Sequence, residues 1–239
     1  MKPQTVLRLL QINRDFYSKF ARAFSDTRSE RQSNLDWIIA GIPEGVKVLD
    51  AGCGNGRLAL ALDRARKKID YVGVDASAEM ITIARERAGR LQNVRAEFFV
   101  GDLADPNWAH AIHARAFDRV IALAVLHHLP SFELRTRAVA DFARMLAPRG
   151  QIALTNWQFM QDERQSKKIV AWELVGIDAQ ELEEGDALLA WKRGGVGYRY
   201  CHQVTKVEIE KVARECGLRT VRQFSADGKL NLSSVLEKI

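Results

Sequence analysis

Asp50, Gly52, Gly54 and Gly56 stand at alternate positions, after the apolar pair Val48-Leu49 and just before a helical run from Leu58 to about Arg66. Glycines at this spacing let the backbone pass close under a ligand where a Cβ would collide. The amides at the head of the next helix then face that ligand and favour a carboxylate or another anion. Two phosphate-binding loops are excluded by the residues present. A dinucleotide loop wants a third glycine where Arg57 stands, and a Walker loop wants Gly-Lys-Ser/Thr. Gly52, Gly54, Asn55 and Gly56 are therefore candidate ligand-binding residues of a different kind of cradle.

One βαβ unit later, Tyr71-Val72-Gly73-Val74-Asp75 reads as a second apolar strand with an acid at its carboxyl end. A carboxylate there lies beside the glycine loop and can accept hydrogen bonds from both hydroxyls of a ribose. Ala76 follows it, Ser77 is the expected N-cap of the next helix, and Met80 is placed to lie on an adenine face. A third strand, Ala96 to Val100, ends in Gly101-Asp102-Leu103, where Asp102 can accept the adenine amino proton. The fourth, Phe117 to Leu123, runs into Ala124-Val125-Leu126-His127-His128-Leu129. Ligands of open α/β sheets bind beyond the carboxyl ends of the strands, where the strand order reverses. That gathers Gly52, Asp75, Asp102 and Leu123 around one crevice.

The elements that must hold these residues follow from the rest of the chain. Its 239 residues, 47% hydrophobic, suit one domain with a sizeable core. Residues 1–44 read as a basic helical arm with Phe16, Phe20, Ala23 and Phe24 at helical spacing. Residues 45–157 alternate strand and helix, the pattern of a parallel sheet, with a fifth strand over 150–155 after a helix ending near Pro148. Residues 158–203 break the pattern and are expected to form an insertion or lid. Over 204–239 a helix from Lys206 to Cys216 stops at Gly217, and two strands joined around Asp227-Gly228 close the domain as a hairpin. No apolar run reaches bilayer length, no secretory leader is expected, and three scattered cysteines suit a reducing cytoplasm. Cys53 is expected to be a packing residue in the turn, not a nucleophile.

Three groups of side chains flank the crevice. His127 and His128 are read either as a base or acceptor contact or as packing and hydrogen-bonding residues at the strand–loop junction. In the arm, Tyr17, Phe24 and Arg28 either cap the sheet or cover the ligand, with Arg28 reaching its carboxylate. In the insertion, Trp191-Lys192 and Tyr198-Arg199-Tyr200-Cys201-His202 interleave aromatic rings with cations. That pattern suits stacking on a base beside an anion, and it equally suits a strand pair with a packed and a solvated face.

The run Asp-x-Gly-x-Gly-x-Gly at 50–56, with the three acidic or apolar strand ends after it, resembles the successive motifs of class I S-adenosylmethionine (SAM) methyltransferases. The resemblance implies a Rossmann-like α/β fold with a mostly parallel sheet, an antiparallel last strand and SAM as cofactor. A narrower resemblance joins Phe24-Ser25-Asp26-Thr27-Arg28, Gly185-Asp186 to Trp191-Lys192, and Arg199-Tyr200-Cys201-His202. These look like motifs of the tRNA wobble-uridine carboxymethyl methyltransferases, which esterify the carboxylate of 5-carboxymethyluridine. The chain departs from that family at Cys201, where a second tyrosine is usual, at Ala190, where proline is usual, and at Val207-Glu208-Ile209-Glu210, where the helix start usually reads Glu-Leu-Glu. The resemblance implies that Arg199 and His202 orient the acceptor carboxylate and that Trp191 or Tyr200 stacks on uracil, with Lys192 beside them. It also implies a tRNA partner and, by analogy with eukaryotic members, a small activator subunit. A net charge of +6 and a pI near 9.3 agree with an RNA partner, although the basic residues are spread along the chain. A small-molecule acceptor and a non-catalytic SAM-binding role are the competing readings.

Overall fold

The computed structural model describes residues 1–27, 35–112, 116–226, 228 and 230–239. Its centre is a seven-stranded sheet in the order β3-β2-β1-β4-β5-β10-β9. The strands are β1 (Lys47–Ala51), β2 (Ile69–Asp75), β3 (Val94–Val100), β4 (Phe117–Leu123), β5 (Leu146–Trp157), β9 (Leu218–Ala226) and β10 (Asn231–Lys238). The first five pair in parallel, and β10 lies antiparallel between β5 and β9. This is the mostly parallel Rossmann-like sheet with an antiparallel last strand. The strand order reverses where β1 meets β4, which opens a crevice at their carboxyl ends.

Successive strand residues point to opposite faces, and both faces are covered. Leu49, Val72, Val120 and Ile152 face one core with Ala138 and Phe142 of α5 (Phe132–Met145) and Val212 of α7 (Lys206–Glu215). Their neighbours Val48, Tyr71, Ile121 and Ala153 face the other, with Leu58 and Leu62 of α3 (Arg57–Arg64) and Ile81 of α4 (Ala78–Ala88). The near-continuous apolar runs of these strands are the consequence of this two-sided burial.

The fifth strand starts earlier than the sequence pattern predicts. Residue Leu146 already pairs with Phe117, directly after α5, and Pro148 and Arg149 fall within the register shift that follows. A left-handed Arg149 (φ +63°) turns the chain there.

The long α1 (Pro3–Ser25) packs its apolar stripe in two directions. Leu9 and Ile12 meet Leu188 and Tyr200 of a separate three-stranded sheet, β6 (Ile169–Val170), β7 (Asp186–Trp191) and β8 (Gly197–His202). Phe16, Phe20 and Phe24 meet Met80 and Trp191. Strand β8 is an edge strand, and Asn13 of α1 satisfies it: its Oδ1 accepts from Tyr200 N–H at 2.9 Å and its Nδ2 donates to Tyr200 C=O at 3.2 Å. Between α1 and β1 lies the short α2 (Asp36–Gly41), and the short α6 (Glu163–Ser166) precedes β6. Among the described residues, no helix is long and apolar enough to cross a membrane.

Candidate functional site

A cavity of about 440 Å³ lies at the carboxyl ends of β1 to β4, with residues of α1 forming its opposite wall. Gly52, Gly54 and Asn55 line it from the first turn, Asp75 and Ala76 from the second, Gly101, Asp102 and Leu103 from the third, and Leu123 from the fourth. Tyr17, Phe24 and Met80 complete this set of expected residues at the wall. Arg28 lies outside the described residues.

Gly52 (φ +80°) is required by its neighbour: a Cβ there would stand 2.4 Å from Val125 Cγ2. Gly56 does not line the cavity, contrary to the sequence-based expectation. It is the left-handed N-cap of α3 (φ +73°), and a Cβ on it would press within 3.3 Å of Ala84 and Phe98. Its job is the turn and the packing beneath it, and Arg57 takes the place at the wall. The Asn55 side chain ties the loop to α1, donating to Ser25 Oγ at 2.7 Å.

Asp75 is held rigidly. One carboxylate oxygen accepts from Gly54 N–H and the other from Ser77 N–H, each at 2.9 Å. Each oxygen keeps acceptor capacity for a further hydroxyl. Burial raises its pKa above the ordinary carboxylate value, with the two amides opposing and Asp102 adding to the rise. Ser77 caps α4 through Met80 N–H, as its position predicts. Asp102 accepts from Arg14 of α1 through Nε at 3.0 Å and Nη2 at 2.7 Å, so an ion pair bridges the cavity's edge. Below the loop, burial lifts Asp50 to about 7, against the Tyr71 hydroxyl that donates to it and the Arg57 charge. Burial, with Asp75 and Asp50 nearby, also holds the Cys53 thiol well above its usual range, which makes it a poor nucleophile.

The two histidines separate. His128 lines the cavity, whereas His127 is 1% exposed behind the wall and accepts Trp157 N–H at Nδ1 (3.3 Å). This corrects the expectation that His127 meets an acceptor: the residue facing the cavity is the next one. His128 Nδ1 lies 3.1 Å from the Tyr200 carbonyl, which can only accept, so Nδ1 carries the proton. Its Nε2 lies within hydrogen-bond distance of the Tyr17 hydroxyl, 2.9 Å away. The donor atoms of His127, His128 and Cys201 lie within 4.8 Å of one another.

The expected residues of the small sheet are brought near one another without sharing a surface. Tyr200 is 0% exposed and its hydroxyl donates to Asp186 at 2.7 Å, so it cannot stack on a base. His202, 4% exposed, bonds Asp186 through Nδ1 (2.8 Å) and Glu208 through Nε2 (3.0 Å). Burial pulls its pKa down, but the two carboxylates outweigh burial and leave it raised. Both nitrogens are engaged by carboxylates, so neither is turned to an acceptor in this geometry. Arg135 extends the network to Glu208, Glu183 and the Leu129 carbonyl. Trp191 is half-buried against Phe16 and Phe24, its indole N–H donating to Arg193 C=O, and Lys192 is exposed in the β7–β8 turn.

Arg199 is different. It is 6% exposed, and its guanidinium carbon lies 5.0 to 5.7 Å from the ring centres of Phe16, Phe24, Trp157 and Trp191. Among the described residues it forms no ion pair, and its buried Nε has no hydrogen-bond partner. Phe24 stands between this cation and the cavity, lining one and facing the other.

Asn13, Arg14 and Ser18 line the cavity without having been singled out as its residues. A signal was present for them: Asn13 interrupts an apolar stripe, and Arg14 and Ser18 share the next helix face with Tyr17.

Comparisons with known proteins agree with this geometry. Residues 48–150 match the family described as a methyltransferase domain. Over 152 residues (63% of the chain) the sequence is 32% identical to the tRNA (carboxymethyluridine(34)-5-O)-methyltransferase of Xenopus tropicalis, covering 22% of that protein. It is 26% identical over 190 residues to the magnesium-protoporphyrin O-methyltransferase of Rhodobacter capsulatus, covering 75% of this chain and 81% of that one. The crystal structure of the magnesium protoporphyrin IX methyltransferase from Synechocystis superposes with a TM-score of 0.61 at 18% identity, covering 100% and 98% of the two chains, and so shares the fold. The chain spans about a fifth to a third of the length of the tRNA-acting relatives it matches.

Proposed function

We propose that this chain, a class I SAM-dependent methyltransferase, methylates the carboxylate of a modified wobble uridine in tRNA. The observation that carries the reading is Arg199, a buried guanidinium without an acid among the described residues, one aromatic ring away from the cavity. A buried cation is costly until an anion meets it. A carboxylate supplies that charge, and guanidinium geometry matches it in a two-bonded fork. The tRNA-acting relatives supply the acceptor class.

The cavity fits the cofactor on its own chemistry. Its volume of about 440 Å³, two carboxylates at strand ends and apolar walls suit a nucleoside with a charged tail. SAM, when bound, supplies an electrophilic methyl group and leaves as the neutral thioether. Asp75 accepts from the ribose hydroxyls, Asp102 accepts from the adenine amino group, and Met80 and Leu103 face the base. Gly52 and Gly54 let the backbone approach the amino-acid end. Tyr17, fixed by His128, and Phe24 keep water off the methyl group. Arg199 attracts the acceptor carboxylate and holds it once the Phe24 ring between them swings aside; the carboxylate is ionised at neutral pH and needs no base to attack. The protein's contribution is therefore approach geometry, worth effective molarities of roughly 10⁵–10⁸ M in well-oriented pairs.

The test is methyl transfer from labelled SAM into tRNA bearing 5-carboxymethyluridine at the wobble position. RNase-sensitive label released by mild alkali is the expected result. No transfer, with SAM binding intact, overturns the tRNA reading in favour of a small carboxylic acid. That second reading draws on the position of α1 across the cavity and on the O-methyltransferase relative whose length the chain nearly spans.

A further inference from the structure

A cluster of cations surrounds the outer end of β7. The β7–β8 turn carries Lys192 and Arg193 and rests directly on α1: a Cβ on Gly194 would touch Ala23, and one on Gly197 would stand 2.4 Å from Phe20. Lys19 and Arg22, exposed on the same turns of α1, therefore lie beside the turn residues. On the other side, Ala190 N–H donates to the Lys168 carbonyl at 2.8 Å, which brings the segment after α6 against the same end of β7. Burial and the adjacent guanidinium groups of Arg164 and Arg199 lower the Lys168 pKa, against a smaller opposing effect of Asp162. Positive charge is thus concentrated here.

Two of the acids beside it are already engaged. Asp162 caps α6 through Gln165 N–H, and Glu163 pairs with Lys167. Among the described residues, Lys19, Arg22, Arg164, Lys168, Lys192 and Arg193 form no ion pair. Beneath this surface sits Arg199 in its ring of aromatic side chains, so the exposed cations and the buried one form one continuous field.

We propose that this surface, formed by α1, the β7–β8 turn and α6, is the track on which the phosphodiester backbone of the RNA acceptor docks, with Arg199 at its floor. The proposal rests on the tRNA reading above. It assigns phosphate contact to the exposed cations, which carry no sequence information but set the position of the acceptor over the cavity. The chemistry also explains how a chain whose basic residues are scattered in sequence presents a local basic face: helix, turn and loop bring them together.

The experiment replaces Arg22, Arg164, Lys168 and Arg193 together by glutamine in the full chain and measures tRNA binding over a range of potassium chloride. Each lost phosphate contact removes about 0.7 to 0.9 from the slope of log affinity against log salt, so a fall of about 3 to 4 is expected, with binding at least ~10-fold weaker at physiological salt. SAM affinity, measured on the same preparation, stays at the wild-type value and shows that the variant is folded. An unchanged salt slope in a folded variant overturns the track while leaving the tRNA reading intact. Wild-type protein that binds no tRNA overturns both. Binding of anionic phospholipid vesicles in place of tRNA also overturns the track. If the fourfold variant loses SAM binding, the pairs Arg22→Gln with Arg193→Gln and Arg164→Gln with Lys168→Gln are measured separately, each with an expected slope change of about 1 to 2.

Discussion

The large sheet and the small one use charged residues in opposite ways. At the carboxyl edge of the large sheet, Asp75 is held by two backbone amides within about twenty residues of it and turns its remaining capacity to the cavity. In the small sheet, Asp186, His202 and Glu208 are spent on one another and on Arg135, a residue of α5 far away in sequence. The first arrangement presents a site; the second locks β7 and β8 to α5 and α7. Backbone amides thus leave Asp75 open to a ligand, whereas side-chain partners close Asp186 and His202. Arg199 is the exception in the small sheet, since it lies in the same strand as His202 yet has no acid partner among the described residues.

The comparison breaks most visibly at Arg199. Replacing it by alanine removes the anion's partner, and a lost buried charge partner costs ~3–5 kcal/mol. Turnover on a carboxylate acceptor is expected to fall by about 10² to 10³-fold, with SAM affinity within about twofold of wild type. Arg199→Lys keeps the charge but not the planar fork and is expected to recover only part of the rate. Calorimetry that finds SAM binding lost in step with turnover would move Arg199 into the structural group with His202.

Asp75 sharpens the other half. Hydrogen bonds to a charged group contribute about 1.5–3 kcal/mol each. Asp75→Ala is expected to weaken SAM binding by about 10- to 100-fold, and Asp75→Asn less. An unchanged dissociation constant in calorimetry removes Asp75 from the cofactor site.

A smaller effect separates the neighbouring histidines. Tyr17→Phe takes the hydroxyl from His128 at the cavity wall and is expected to lower kcat/KM by about 2- to 10-fold, with the melting temperature little changed. His127→Ala strips the Trp157 amide of its acceptor, and an unpaired buried donor costs about 1–3 kcal/mol. Its expected signature is a lower melting temperature with kcat/KM preserved in the folded fraction. The reverse pattern for the pair would restore His127 as the acceptor-facing residue.

These contrasts also explain what could be read from the chain alone. The sheet was legible because burial on both faces writes long apolar runs, and the cavity's floor because glycine and aspartate spacing reports backbone geometry over a few residues. The role of Gly56 was misread because a left-handed turn glycine and a ligand-facing one look alike in sequence. Tyr200 and His202 fit the packed-strand reading of their segment, and their partners, Asp186 and Glu208, are recognisable only once β7, β8 and α7 are packed. The bridge from Arg14 to Asp102 spans eighty-eight residues and carries no local pattern at all.

The smallest expected effect tests whether the locked network is a stabilising one. His202 has a folded-state pKa raised above its ordinary 6.5, because the two carboxylates outweigh burial. Its contribution to stability is therefore fully present below pH 6.5 and is lost as pH rises through the higher folded value. Asp50 acts with the same sign in a lower window. Its folded value near 7 stands above the ordinary 3.8, so its proton is lost and stability falls between about pH 4 and 7. The two are separated by working above pH 7 and comparing wild type with His202→Asn. Wild type is expected to lose melting temperature as pH rises above 7, and the variant to lose less, the gap narrowing as pH rises. A difference of about 1 kcal/mol would appear as roughly 2–4 °C in a chain of this size. Parallel curves for the two proteins would mean that His202 does not gain its proton on folding, and that β7 and β8 are held by packing on Leu9, Leu188 and Tyr200 instead.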